Sequence, residues 1–488
     1  MPVVSATQLA EWKSLSFPLL ACRIFRLYIE EREISNTDLE SLLIKSFSTF
    51  SHPEVAPLSK LVDGRYLLEL FHGPTFAFKG NLFEYFLGKN KGKTINVLGA
   101  TSGDTGGYVV KYVQLSRAAI YGLRGKKNVN VFILFPKGRV SNVQEAQMTS
   151  VPDANVYNVS VEGTFDNCQS VVKALFSDQE FRKEYRLAAV NSINWARILS
   201  QVVYYFYSYF RMQEIHPGVK IRYSVPSGNF GDILAGYFAV RMNLPIHRLI
   251  VATNANDILA RFFATGEYQK TDDCHATLSP AMDILASSNF ERLLWYLERG
   301  DSRTSATLAD EVRASEQVVK HMSRLQGPQG GFKVDPSVLY LTRDIFLASC
   351  VRDEQTRECI SRYYALQPLD DGTRVILDPH TAVGVVASER LCAEDTGSEE
   401  TVDICLATAH PGKFPDAILS SVSSLDETMS AGGKLEWEDF APQVLVEAME
   451  MPKRCVHLST KESVSSDKDV VQVATEKVKK YMIEKLKI

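Results

Sequence analysis

Lys79 closes the run HGPTFAFKG, residues 72–80, directly behind Phe76, Ala77 and Phe78. An ammonium group among apolar neighbours is hard to keep protonated, because burial disfavours its charged form. The neutral amine that results is what a Schiff base with a carbonyl compound requires. A lone lysine also has a plainer reading, with its stem on apolar surface and its head in water. Two glycine-rich stretches bear on the choice. In SGNFGD, 227–232, the glycines let backbone N–H groups come close to an anion, and a helix starting behind them favours negative charge, as in a phosphate cradle. TSGDTG, 101–106, adds the hydroxyls of Thr101, Ser102 and Thr105, which suit a carboxylate or a phosphate. Taken alone, each loop reads equally well as a tight strand-to-helix turn with no ligand. Neither carries the Lys-Ser/Thr pair of a nucleotide-binding P-loop, and neither is GxGxxG. Together, a Schiff-base lysine, a phosphate loop and a second anion loop match the needs of pyridoxal 5'-phosphate: an amine for its aldehyde, a site for its phosphate and a site for an amino-acid carboxylate.

Positioning such groups takes strands that end in glycine turns. TINVLGA (94–100) reads as a buried strand running into the first loop. VNVFILF (129–135) and ANVYNVSV (154–161) read as further strands, and ARILSQVVYYFYSYFRMQ (196–213) as a long apolar helix. IRYSV leads into SGNFGD and the helix ILAGYFAVRM; LIVAT from 249 and ICLATAH from 404 are two more strands. Strands alternating with helices, with glycines just after strands, predict an α/β fold with a largely parallel sheet, whose ligands bind at the carboxyl ends of the strands. The first 60 residues read as helical, with a capping box from Thr37 to Glu40. CAEDTGSEET, 392–401, reads as a polar surface loop. The last 22 residues read as an amphipathic helix with Val471, Ala474, Val478, Met482 and Leu486 on one stripe.

Composition bounds the partners. The chain has 488 residues and a net charge of -4, with 45% hydrophobic and 23% charged residues. That length predicts roughly three domains of about 150 residues. The charge argues against a nucleic-acid binder that relies on bulk charge. No apolar run approaches the roughly 18 residues of a membrane span, and the start shows no secretory pattern. Eight scattered cysteines form no CxxC and no Cys/His cluster with zinc spacing, so no metal site is expected. These features fit a cytoplasmic enzyme with a small-molecule substrate.

The segments LELFHGPTFAFKG, LGATSGDTG, AAVNSINWARIL, VPSGNFGDILAGYFA, TLSPAMDILASSNFERLLWYL, LDPHTAVGV and ATAHPGKF resemble the threonine synthases of the fungal and enterobacterial type, over nearly the whole chain. The resemblance implies the fold type II of pyridoxal-phosphate enzymes, shared with tryptophan synthase β-chain: two α/β domains with parallel-rich sheets plus a helical N-terminal segment. It implies a helical region at 1–68, a large cofactor-binding domain at 69–90 and 216–425, a smaller domain at 91–215 with the substrate-carboxylate loop, and a tail at 426–488. It implies conversion of O-phospho-L-homoserine and water to L-threonine and phosphate, by a monomer or homodimer.

Carried over by residue, Lys79 matches the lysine that holds the cofactor and later shuttles protons. Gly228, Asn229, Phe230 and Gly231 match the loop around the cofactor phosphate, flanked by Ser227 and Asp232. Thr408 matches the hydroxyl residue facing the pyridine nitrogen. Thr101, Ser102, Asp104 and Thr105 match the loop that grips the substrate carboxylate, with Asp104 also near the cofactor's 3′ oxygen. Asn194 and Arg197 stand for the substrate phosphate, since an arginine fork suits it; for Arg197 a surface salt bridge stays equally open. His72, His380 and His410 read as packed, satisfied histidines more readily than as site residues.

Three departures from the family pattern are visible. The chain lacks a glycine-rich segment that the family carries near its start. Lys79 runs straight into Gly80, where the family has seven more residues, beginning with an aspartate. GYVVKYVQLSR, 107–117, interrupts the step from TSGDTG to AAIYGLRGKK. The last two touch elements that position lysine and substrate, so the chain is expected to turn over slowly.

Of the two lysines in the matching segments, Lys79 and Lys413, only Lys79 matches the lysine that holds the cofactor. Borohydride reduction of the cofactor-loaded chain followed by peptide mapping should place the label on Lys79, and Lys79→Ala should abolish labelling. A label on another lysine refutes the assignment.

Overall fold

The computed structural model describes residues 1–73, 94–101, 125, 127–189, 195–300, 307–366, 374–394, 400–426, 434–459 and 467–486. Lys79, Ser102, Asp104, Thr105, Asn194 and the 107–117 segment lie outside the described residues.

Two sheets organise the described chain. β1 (Leu58–Lys60) and β2 (Tyr66–Glu69) open the first. β3 (Ile95–Ala100), β4 (Val129–Pro136), β5 (Val156–Val161) and β6 (Leu187–Ala189) build the second. The chain returns to the first sheet for β7 (Lys220–Pro226) and β8 (Arg248–Thr253). After a small antiparallel ladder of β9 (Glu267–Gln269) and β10 (Gly331–Lys333) it adds β11 (Phe346–Cys350) and β12 (Thr401–Ala407). β13 (Val456–Leu458) closes in the second sheet. The first sheet runs β1-β2-β12-β7-β8-β11, parallel throughout except for the β1–β2 hairpin. The second runs β13-β5-β4-β3-β6, all parallel.

The near-continuous apolar strands follow from this arrangement, because a parallel sheet covered by helices buries both faces. In the first sheet Tyr66, Leu68, Tyr223, Val225 and Ile404 join one core. Leu67, Ile250, Ala252, Cys405 and Ala407, alternating with them, join another on the opposite face. The helix Trp195–Ile215 is buried along most of its length and packs on the helix Gly231–Arg241. Their contact is close: a Cβ on Gly236 would stand 2.9 Å from the Tyr205 ring and 3.0 Å from Leu249 Cδ2. The C-terminal helix Asp467–Leu486 buries Ala474, Val478 and Met482 in the core of the second sheet, on the stripe expected from its sequence. Among the described residues no helix is long and apolar enough to cross a membrane.

Two local expectations are corrected. The helix expected to be capped at Thr37 spans Asn36–Phe47 and is capped by Ser35, whose hydroxyl accepts from the Asp38 N–H at 3.1 Å. Ile34, just before it, is buried and fixes where the chain enters the helix. The expected loop at 392–401 begins later than predicted, because the helix Pro379–Glu394 continues through Cys392 to Glu394. Cys392 Sγ lies 2.7 Å from Asp403 Oδ2, and Asp403 is paired with Arg222 at 2.6 Å, so a buried ion pair anchors that last turn.

Candidate active site

β7 leaves the first sheet through Ser227–Phe230 and enters the helix Gly231–Arg241. The Ser227 N–H donates to the Ala252 carbonyl at 2.7 Å and its hydroxyl to the Val225 carbonyl at 2.9 Å, so this residue fastens the loop to β8 and β7. Gly228 then passes close to another segment. A Cβ there would meet the Ala281 carbonyl at 3.0 Å and Met282 Cα at 3.2 Å, both backbone atoms. Asn229 is gripped from the same segment. Its carbonyl accepts from the Asn289 N–H at 3.1 Å and from Asn289 Nδ2 at 3.0 Å, and its Oδ1 accepts from the Ser288 N–H at 3.2 Å. Asn229 Nδ2 is buried with no hydrogen-bond partner among the described residues.

Phe230 adopts a left-handed conformation, φ 61° and ψ 6°, at the helix N-cap. Its ring is fully buried, edge-on to Phe290 at 5.5 Å and stacked near Phe263 at 6.1 Å. Asp232 is buried in the first turn, where its carboxylate accepts from the Tyr204 hydroxyl and, at 3.3 Å, from the Tyr205 hydroxyl. The long apolar helix thereby fixes where the second helix starts. The first N–H groups of a helix have no intrahelical acceptor and carry its positive end, the arrangement that suits a phosphate.

Thr408 directly follows β12, the parallel neighbour of β7. Cys405 pairs with Ser224, and the register carried forward sets Thr408 level with Ser227. Thr408 is buried, and its hydroxyl has no hydrogen-bond partner among the described residues. Thr101 sits just beyond β3, at the carboxyl end of the second sheet. Its N–H donates to the Leu134 carbonyl at 2.7 Å, and its buried hydroxyl has no partner among the described residues. Arg197 lies in the first turn of the helix Trp195–Ile215 and is buried, which removes a surface salt bridge as its place.

The three histidines occupy the same edge. His72 is satisfied, with Nε2 2.6 Å from Glu69 Oε2 and its carbonyl accepting from the Ser51 N–H at 2.8 Å. Burial works against the Glu69 carboxylate, but hydrogen bonds from His72 and Ser59 outweigh it and hold its pKa below the usual range. His380 is fully buried with Nδ1 2.7 Å from Asp378 Oδ1; its Nε2 has no hydrogen-bond partner among the described residues. His410 Nδ1 accepts from the Gly412 N–H at 3.1 Å. Burial, reinforced by the charges of His72 and Lys413, pushes the His410 pKa down to about 4. It is therefore neutral at pH 7.

The structure thus gathers Ser227–Asp232 and Thr408 on adjacent strands of one sheet and sets Thr101 at the matching edge of the other. The segment Thr277–Asn289 shares the resemblance, yet none of its residues reads as a site residue in the sequence. It backs the glycine loop at two points, and only its polar run SSN hinted at loop contacts. The contents of the edge fit pyridoxal phosphate on three counts. Gly228 leaves no room for a side chain, the buried Asn229 amide has a spare donor, and the buried Thr408 hydroxyl waits beside the loop for a polar partner.

Comparisons with known proteins point to one family. A family model described as "Pyridoxal-phosphate dependent enzyme" matches residues 54–336, "Threonine synthase N terminus" matches 1–47 and "Threonine synthase, C-terminal" matches 381–471. The chain is 50% identical over 440 residues to threonine synthase of Saccharomyces cerevisiae, covering 86% of this chain and 82% of that protein. It is 42% identical over 425 residues to that of Pseudomonas aeruginosa, covering 86% and 82%. Among solved structures, yeast threonine synthase superposes with TM-score 0.81 at 46% identity, covering 98% of this chain and 92% of that one. The PLP-bound threonine synthase of Brucella melitensis superposes with TM-score 0.77 at 35% identity, also covering 98% and 92%.

Two outcomes are expected from this geometry. Gly228→Val should weaken pyridoxal phosphate binding by about tenfold or more, since the new side chain must displace backbone at Ala281 and Met282; unchanged affinity in a fluorescence titration contradicts the loop assignment. His410 titrates in the folded chain at about pH 4, below the unfolded value near 6.5. Between those values the unfolded chain binds more protons, so the His410 contribution to stability falls as pH falls. In His410→Asn the amide oxygen can still accept from Gly412. Urea melts should show this variant gaining about 3 kcal/mol relative to the parent between pH 7 and pH 4. A difference independent of pH refutes the neutral imidazole.

Proposed function

The chain belongs to the threonine synthase family of pyridoxal-phosphate-dependent lyases, and from that premise we propose that it converts O-phospho-L-homoserine and water to L-threonine and phosphate. One observation of the site carries the reading: a buried Thr408 hydroxyl, without a hydrogen-bond partner among the described residues, set level with the Ser227–Gly231 loop on the adjacent parallel strand. That pairing offers a phosphate site and a ring-nitrogen partner side by side. Bound there, the cofactor supplies an electron sink for negative charge developing at the substrate α-carbon.

The residues divide the remaining work. Backbone N–H groups of Gly228, Asn229, Phe230 and Gly231 hold the cofactor phosphate, with Ser227 and Asp232 fixing the loop's two ends. The Thr408 hydroxyl would partner the pyridine nitrogen and leave it less positive than a carboxylate would. Lys79 Nζ would hold the cofactor until the substrate amine displaces it; the freed amine, kept neutral by the apolar run Phe76–Phe78, would then take the α-proton. Thr101, Ser102, Asp104 and Thr105 grip the substrate carboxylate. Asn194 and the buried fork of Arg197 receive the substrate phosphate, whose departure from the γ-carbon follows loss of a β-proton; water then adds at the β-carbon.

The same reading divides the chain into a helical region at 1–68, a large cofactor domain at 69–90 and 216–425, a smaller domain at 91–215 and a tail at 426–488. It places the enzyme in the cytoplasm, as a monomer or homodimer. No disulfide forms among the described residues, which include all eight cysteines, and this suits a reducing compartment.

The purified chain supplied with O-phosphohomoserine should release phosphate and form threonine mole for mole. Phosphate accompanied by a keto acid instead overturns the reading in favour of a simple phospho-lyase. Replacing 107–117 by one small residue and restoring seven residues after Lys79 should raise the rate on the order of a hundredfold, the scale of a reacting group displaced by about 1 Å; an unchanged rate shows both departures to be harmless.

A further inference from the structure

The segment from Thr277 to Asn289 passes behind the glycine loop, and its turn at 279–284 joins three apolar cores. Ala281 packs in the core of the second sheet, Met282 in one core of the first sheet and Ile284 in the other. Ala281 and Met282 are also the residues whose backbone closes on Gly228. Apolar packing alone leaves such a junction free to slide, because burial is non-directional. Its position is set by a polar knot around one carboxylate. Asp283 Oδ1 accepts from Asn254 Nδ2 at 2.7 Å, from Asn256 Nδ2 at 3.0 Å and from the Thr277 hydroxyl at 2.7 Å. Asp283 Oδ2 accepts from the Thr277 N–H at 3.0 Å. Asn254 and Asn256 lie just beyond β8, whose Ala252 carbonyl already fastens Ser227. The turn itself closes through the Met282 N–H to the Ser279 carbonyl at 2.9 Å and the Asp283 N–H to the Pro280 carbonyl at 3.2 Å.

We propose that Asp283 is a positioning residue for the cofactor: by gathering Thr277, Asn254 and Asn256 it holds the Ala281–Met282 backbone against Gly228 and so sets the aperture of the phosphate loop. The proposal rests on the reading of Ser227–Gly231 as the phosphate loop. Four donors converge on this carboxylate, which is how an ionised group is held. Burial raises its pKa to about 6 against those hydrogen bonds and the nearby His380, which leaves it ionised at pH 7. Asparagine at this position would set an NH₂ against donors that need an acceptor, and the knot would loosen without any loss of side-chain volume.

The test is a titration of pyridoxal phosphate into the full-length chain carrying Asp283→Asn, Thr277→Val or Gly228→Val, with the ³¹P resonance of the bound phosphate recorded beside each affinity. Asp283→Asn should weaken binding on the order of tenfold and shift the ³¹P resonance, while the substrate KM at saturating cofactor stays near that of the parent. Thr277→Val, which removes one donor, should move affinity and resonance in the same direction by less, and it decides the matter alone if Asp283→Asn does not fold. Weakened binding in Gly228→Val with parental affinity and resonance in the other two overturns the role of Asp283 and leaves the loop reading standing. Parental affinity in Gly228→Val overturns the loop reading, and this proposal with it.

Discussion

Phe230 carries the constraint on which the site depends. Its left-handed backbone, φ 61°, costs a residue with a Cβ on the order of 1–2 kcal/mol. Full burial of its ring among Phe263, Phe290 and Phe346 returns about 1.5–3 kcal/mol. Burial therefore wins, and the strained turn persists because the ring has nowhere else to go. That turn swings the chain from β7 into the helix Gly231–Arg241 and aims the helix's first N–H groups at the carboxyl edge. Glycine at 230 would relieve the strain but release the ring that locks the turn.

The two ends of the first sheet are treated differently. Near the start of β7 and β12, Arg222 and Asp403 form a buried pair at 2.6 Å that Ser388 and Cys392 extend. Charges there are paired and hydrogen-bonded, as burial demands. At the carboxyl edges of the two sheets, buried polar atoms of Thr101, Asn229 and Thr408 have no hydrogen-bond partner among the described residues. A buried orphan costs about 1–3 kcal/mol, so a ligand that satisfies several of them gains binding energy from the protein's own deficit. A short turn joins the two edges, since the Ala281 backbone closes on Gly228 while Ala281 also packs in the second sheet's core.

Much of this was legible in the sequence because it is local. TINVLGA, VNVFILF and LIVAT are short apolar runs that end at turns, and each became a strand within a residue of its expected bounds. SGNFGD announced its turn through glycine, and the C-terminal helix announced its buried stripe through spacing. The shorter strands β2, β6, β11 and β13 carried no such signal, because a three- to five-residue run acquires its identity from the strand it pairs with. The cap at Ser35 and the last turn before Asp395 were misplaced for the same reason: burial of Ile34 and the ion pair behind Cys392 settled them from outside the segment.

The sequence by itself determined which motifs are present: a lysine in an apolar run, two glycine-rich stretches behind strands, an α/β frame and the family to which these motifs belong. Residue types and spacing suffice there, since each motif makes its turn with its own backbone. Tertiary structure alone decided that Thr408 stands level with Ser227, that Arg197 is buried, that His410 is held neutral and that Asp283 gathers Asn254, Asn256 and Thr277. Those facts depend on which strands pair in parallel and which side chains lose water, and neither is set by any stretch of chain acting alone.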